Sequence, residues 1–292
     1  MKTFITSLLL FFFVATHAQD IQRHFKLYDV KNKKLTTLEN IASDLENSDV
    51  IFFGEEHNDS AGHYLEKELF RVLHASYGNK LALSLEMFET DCQLVLDEWL
   101  DGHISEERFT RESRAWTNYR DYKPMVDFAK ANKLDVVAAN PPRRYVNMVS
   151  RKGMASLDSL PKASKKFLPD LPYDTAIGRY REKFMEFMRG GSPGTANFRI
   201  FYSQCLWDAG MAHSIYEYWK KNRDKKILHV VGRFHSDEKL GTAQQLQNKK
   251  ISLRILNISS FSDDSFENPD WDKFAHLGDY IFLTDPKLKK TY

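Results

Sequence analysis

Two segments of the chain share one form, a glycine followed three residues later by a histidine: Gly54-Glu55-Glu56-His57 and Gly232-Arg233-Phe234-His235. Glycine permits a positive φ or a close backbone approach, so each histidine can point back over the element that precedes it. Imidazole beside carboxylate suits a divalent transition metal, or proton transfer near neutral pH. Glu55, Glu56 and His57, with Glu86 and His235, are therefore a candidate metal-binding or catalytic set. A metal held there would activate water, with one glutamate as base. The same residues read equally as polar groups that close strands and cap the helices after them. The chain contains no H-E-x-x-H, and its one G-x-S-x-G match, Gly190 to Gly194, falls in a glycine-rich break of a stretch without strand pattern, so no nucleophile elbow and no usual zinc-protease signal is present. A further cluster, Pro141 to Tyr145, places the guanidinium groups of Arg143 and Arg144 where they could pair with a carboxylate-bearing ligand or start a solvated helix.

What must position these residues is a set of short apolar runs bounded by turn residues, which predict buried strands at 50–53, 81–85, 136–139, 227–231, 253–256 and 280–283. The candidate residues follow the ends of these runs. In a parallel sheet such carboxyl ends lie along one edge, where ligands bind, so Glu55, Glu56, His57, Glu86, Asn140 and His235 are expected to converge. Between the first two runs, Asn58-Asp59-Ser60 supplies an N-cap, Leu65, Leu69, Val72 and Leu73 share a helix face, and Gly78 ends the helix. Residues 91–134 read as two or three helices. Residues 143–219 show no strand pattern; breaks at Pro161, Pro169, Pro172 and Gly190 to Gly194 divide a helical insertion whose last helix spans about 198–220. The fold class is thus α/β: a mostly parallel layered sheet flanked by helices, with a helical cap.

Tyr119 and Tyr122 are spaced for packing on one helix face, and Met185 and Met188 sit among phenylalanines as a packed helix would. His63, His74, His103, His213 and His276 read as surface or core histidines. With 42 basic and 40 acidic residues the formal charge is +2, which gives no warrant for a nucleic-acid partner. The only cysteines, Cys92 and Cys205, have no zinc spacing and are expected as buried free thiols. Lys2, the apolar run Phe4 to Ala15 and the small residues Thr16 and Ala18 form a signal-peptide pattern over residues 1–18. The expectation is one exported domain over 19–292, free in the periplasm or outside the cell, with no cysteine to carry a lipid.

Five segments, IFFGEEHNDSAGH, LSLEMFE, DVVAANPPRRYV, CLWDAGMAHSI and HVVGRFHSD, occur in the order expected of the ChaN-like family, and the chain resembles that family over roughly residues 35–285. This is the haem-binding uptake branch of a superfamily that also holds the Tiki metalloproteases and erythromycin esterases. The resemblance implies a haem-binding protein of iron acquisition rather than an enzyme, haem iron held by a tyrosine, a possible homodimer with stacked haems, and an outer-membrane haem receptor as a further partner. Tyr145, beside Arg143 and Arg144, is the first candidate ligand; Tyr173 and Tyr180 follow. The Gly-x-x-His pair is the metal-linked motif of the Tiki branch, so the resemblance also implies, as the alternative, a metal-dependent hydrolase. A binding module for some other ligand stands third.

Overall fold

Alternation along the central strands decides which helix lies on which face of the sheet. The computed structural model describes residues 21–175, 178–190 and 195–292. The signal segment expected over 1–18 lies outside the described residues, as do Gly191 to Gly194 of the glycine-rich break. The strands are β1 (Phe25–Asp29), β2 (Lys34–Leu35), β3 (Val50–Glu55), β4 (Leu81–Glu89), β5 (Val136–Asn140), β6 (Lys226–Gly232), β7 (Ile255–Ser262) and β8 (Tyr280–Thr284). They form one sheet in the order β2-β1-β8-β7-β3-β6-β4-β5. β1 pairs antiparallel with β2 and β8, and the other pairs are parallel.

Side chains on a strand point alternately to the two faces. On β3, Ile51 and Phe53 join the core under helices α2 (Ser60–Tyr77) and α5 (Tyr119–Ala131). Val50 and Phe52 join the opposite core, under α9 (Ala196–Lys221) and α10 (Gly241–Lys249). Each Leu or Phe so buried contributes about 1.5–3 kcal/mol. Asp59 caps α2 by accepting from the Ala61 amide, and Gly78 ends it at φ +53°. Before α2 lies α1 (Leu38–Asp44); α3 (Gln93–Leu100) and α4 (Glu106–Glu112) stand between β4 and α5.

The described part of 143–219 holds no strand and carries α6 (Arg143–Lys152), α7 (Lys162–Lys165), α8 (Arg179–Phe187) and most of α9, with irregular backbone between α7 and α8. The first half of α9 packs in this cap through Phe201, Cys205 and Leu206. Its second half packs on the sheet through Met211, Ala212 and Ile215. A short α11 (Trp271–Phe274) precedes β8. At the β5 edge, the Gln93 side chain donates to the Val136 carbonyl (2.8 Å) and accepts from the Ala138 amide (2.7 Å). No helix among the described residues is long and apolar enough to cross a membrane.

Two expectations about the strands need correction, and the pair β1 and β2 was not among the predicted strands. β4 does not end at Leu85 but runs on to Glu89, with a register shift between Leu85 and Glu89. β7 begins at Ile255 and continues through Asn257, Ser259 and Ser260, all buried polar residues. The short pair β1 and β2 carried no apolar run long enough to notice.

Candidate functional site

The same alternation that builds the core carries on to its end. After Phe53, Gly54 faces the α9–α10 side and Glu55 the α2–α5 side. β3 and β6 are neighbours with Glu55 opposite Gly232, so the two Gly-x-x-His segments leave the sheet side by side. Each glycine makes room for the other segment. A Cβ on Gly54 would lie 2.4 Å from Ser236 Oγ and 3.0 Å from Arg233 Cα; one on Gly232 would lie 2.8 Å from His57 Nε2. These positions need glycine for close approach.

The crossing produces two histidine–carboxylate pairs. His57 Nδ1 lies 2.8 Å from Glu55 Oε1, which also accepts from the Tyr122 hydroxyl at 2.8 Å. Burial works to lower the His57 pKa, but the hydrogen bond to Glu55 and the charges of Glu86 and Glu55 outweigh it and push it up to about 9. Burial opposes the ionised form of Glu55, yet the hydrogen bond from His57 and the nearby His63 imidazole hold it well below the usual carboxylate range. The first pair is therefore an imidazolium and a carboxylate at neutral pH.

In the second pair His235 Nδ1 lies 2.7 Å from Asp208 Oδ1. Asp208 also accepts from the hydroxyls of Tyr180 (2.5 Å) and Thr242 (2.9 Å). Burial lowers the His235 pKa, but the charge and hydrogen bond of Asp208 and the charge of Glu86 raise it on balance. Glu86 sits between the pairs: Oε2 accepts from the Gly232 amide at 2.7 Å, and Oε1 lies 3.9 Å from His235 Nε2.

His57, Glu86, Asn140 and His235 line one cavity of about 680 Å³ at the carboxyl ends of β3, β4, β5 and β6. Its apolar walls come from Trp116, Val146, Ile200 and Trp207, and Arg143 stands on it with its side chain 67% exposed. Convergence at the sheet edge is thus found for these four residues. Glu55 lies beneath His57. Glu56 turns away to Ser262 (Oγ 3.0 Å) and Lys290 (Nζ 3.4 Å).

The tyrosine candidates lie in the cap core rather than on the cavity wall. Tyr173 donates to the Tyr202 carbonyl (2.9 Å) and Tyr180 to Asp208. Tyr145 is 7% exposed, with the Arg144 guanidinium 4.4 Å from its ring centre and Nη2 3.2 Å from its hydroxyl. Arg144 also pairs with Asp91, and Arg143 lies 3.7 Å from Glu89. Cys92 and Cys205 are free and buried.

Several residues of the site were not among the sequence candidates. Asp208, Trp116 and Trp207 lack any local spacing that marks them; a lone aspartate within the apolar stretch of α9 was the one available signal. Tyr122 does pack in the core, but its hydroxyl serves Glu55. His63 is a buried histidine, as one of its two readings had it, and it faces Glu55 at 3.1 Å.

Comparison with known proteins fits this geometry. The family model described as haem-binding uptake, Tiki superfamily, ChaN matches residues 41–246. The structure of ChaN of Campylobacter jejuni, solved with cofacial heme binding, superposes with a TM-score of 0.68 at 17% identity, covering 90% of this chain and 97% of that one. An erythromycin esterase in its open conformation gives 0.49 at 13% identity, over 90% of this chain and 83% of its own. A MARTX toxin effector domain from Vibrio vulnificus gives 0.43 at 14%, over 79% and 36%. No curated protein matches at the sequence level. With the model spanning most of the chain and the C. jejuni structure sharing its fold, the chain belongs to the ChaN family of haem-binding uptake proteins, within the Tiki superfamily.

Proposed function

We propose that this chain is an exported haem carrier of iron acquisition that holds haem in the cavity between the sheet edge and the cap, and that the haem passes onward to an outer-membrane receptor. The observation that carries the reading is the cavity itself. Its volume of about 680 Å³ falls within the roughly 300–1,000 Å³ of cofactor sites, and two tryptophans with Val146 and Ile200 offer apolar walls to a flat macrocycle. Arg143 is exposed and only loosely paired with Glu89 at 3.7 Å, so it can turn toward a propionate, as a guanidinium does with carboxylates. His57, an imidazolium at neutral pH, adds a second cation on the same wall. When bound, haem would supply a ferric iron, which a tyrosine oxygen of this chain would hold.

Tyr145 remains the first candidate for that ligand. Tyr173 and Tyr180 each spend the hydroxyl proton on an internal acceptor, whereas the Tyr145 oxygen faces a donor, Arg144. A phenolate on iron would find that positive charge beside it. Hemin titration of residues 19–292, followed by absorbance, tests the reading. Saturable binding is expected, with a tyrosinate-type ferric spectrum lost in Tyr145→Phe and affinity reduced about two- to fivefold in Arg143→Ala, the worth of an exposed ion pair. Binding no stronger than to an unrelated protein of the same charge refutes it.

One observation favours a second reading. His57 and His235, each backed by a buried carboxylate, line one cavity with Glu86, an arrangement suited to a metal-dependent hydrolase in which Glu86 or His235 handles a proton. Cleavage of an ester or peptide panel, abolished by His57→Ala and by His235→Ala, would support it. Absence of turnover under every divalent metal tried would reject it.

A further inference from the structure

We propose that Glu55, His63 and Glu66 form a buried site for one divalent first-row transition ion, such as Zn2+ or Mn2+, between β3 and α2. Each residue offers one ligand atom, and the three atoms lie within 4.8 Å of one another. The sequence brings them together simply. Alternation on β3 turns Glu55 toward α2, and the spacing of three puts His63 and Glu66 on one helix face.

The residues are left unsatisfied without such an ion. Glu66 is 0% exposed and neither of its oxygens has a hydrogen-bond partner. His63 is 7% exposed, and neither ring nitrogen makes a bond of acceptable geometry. Its Nε2 stands 3.1 Å from Glu55 Oε2, yet off the hydrogen-bond axis. Two ligands on a tetrahedral ion at 2.0–2.1 Å are separated by about 3.3 Å, so the short, misaligned contact is what a shared cation would produce. A buried polar group without a partner is rare and costly, and here three side chains present such atoms to one point.

The surrounding charge has the matching sign. Glu66 shares its interior with the carboxylates of Glu55, Asp59 and Asp121, so four acidic groups crowd one place. A dipositive ion relieves that crowding where a single proton relieves one charge. Two carboxylates and one imidazole are a ligand set for Zn2+, Mn2+ or Fe2+ rather than for a thiolate-seeking ion. The outer partners are already in place. Glu55 Oε1 is fixed by His57 and Tyr122, leaving Oε2 for the ion. The Tyr122 ring lies edge-on to His63 with centroids 5.2 Å apart. Neither His63 nor Glu66 lines the cavity assigned to haem, so variants at these two positions test the ion site separately from haem binding.

The competing account is a proton shared between Glu66 and Glu55. Residues 19–292, produced without haem and purified without chelator, separate the two. Metal content by mass spectrometry, then Co2+ titration of the chelator-stripped protein with visible absorption, is measured for wild type, Glu66→Gln, His63→Asn and the exposed-histidine control His103→Ala. The expected result is one equivalent of metal and a d–d spectrum of oxygen and nitrogen ligation. Affinity should fall at least about tenfold in Glu66→Gln and His63→Asn, since even outer-shell losses cost that much, and stay unchanged in His103→Ala. Should both variants fail to fold, wild-type melting decides: a rise with Co2+ reversed by chelator supports the site, and no shift overturns it. No retained metal and no Co2+ spectrum, or equal binding in both variants, overturns it. A Glu66→Gln protein more stable than a wild type that binds no metal assigns the cluster to the shared proton.

Discussion

Gly54→Ala should be among the most damaging single-methyl additions in the molecule, and the structure says by how much. The new Cβ would stand 2.4 Å from Ser236 Oγ and 3.0 Å from Arg233 Cα. Restoring ordinary contact, roughly 3.5 Å or more between heavy atoms, requires the hydroxyl to retreat by about 1 Å and the Arg233 backbone by about half that. Ser236 is wholly buried and the backbone there continues β6, so neither moves alone. Overpacking of this kind costs about 1–3 kcal/mol; at about 2 kcal/mol the melting temperature falls by roughly 4–8 °C for a chain of this order of size. Gly232→Ala is the matched control. Its nearest atom is the rim of the His57 ring, a side chain 34% exposed that can swing outward, so the cost should be about 1 kcal/mol, with displacement of the imidazole from Glu55. Urea unfolding followed by circular dichroism compares the two. Ser236→Ala in the Gly54→Ala background removes the closest atom, whose oxygen has no partner to lose, and should restore at least half the loss. If Gly54→Ala proves no less stable than Gly232→Ala, or if Ser236→Ala rescues nothing, the two Gly-x-x-His segments do not cross as described.

Other outcomes follow from the charged pairs. Asp208→Ala strands His235, Tyr180 and Thr242 at once and should cost about 3–5 kcal/mol, the loss typical of breaking a buried pair; calorimetric melting measures it. His57 has its folded pKa raised from 6.5 to about 9, so the stability it adds is complete below pH 6.5 and disappears as pH rises through 9. Melting of His57→Gln should lack that alkaline decline, and an identical pH profile in wild type and variant would refute the assignment. Tyr122→Phe removes one donor to an ionised Glu55 and should destabilise by about 1.5–3 kcal/mol, read as a shifted urea midpoint.

The strands that pass through the middle of the sheet were readable because both of their faces are covered, which forces an apolar run: Val50 to Phe53 and Ile227 to Val231 announce themselves. β7 was displaced because Asn257, Ser259 and Ser260, all buried, interrupt its apolar run and mimic a loop. β4 was cut short at Glu86 because a charge looks like an ending; by alternation that charge faces the cavity while Met87, next to it, packs in the core. Within the site, His57, Glu86 and His235 were legible from one rule, that strand ends meet at one edge. Asp208, His63 and Glu66 ride on helices, and which strand end a helical side chain meets depends on rotation and packing that no local pattern encodes.

Gln93 has a consequence for assembly. With its amide standing in for a neighbouring peptide along β5, and with β2 only two residues long at the opposite margin, the sheet is closed to extension at both ends. Exposed strand margins are the usual route by which sheets recruit one another, and here that route is blocked. Any association of copies of the chain would therefore rely on side chains of its helices and loops rather than on added strands.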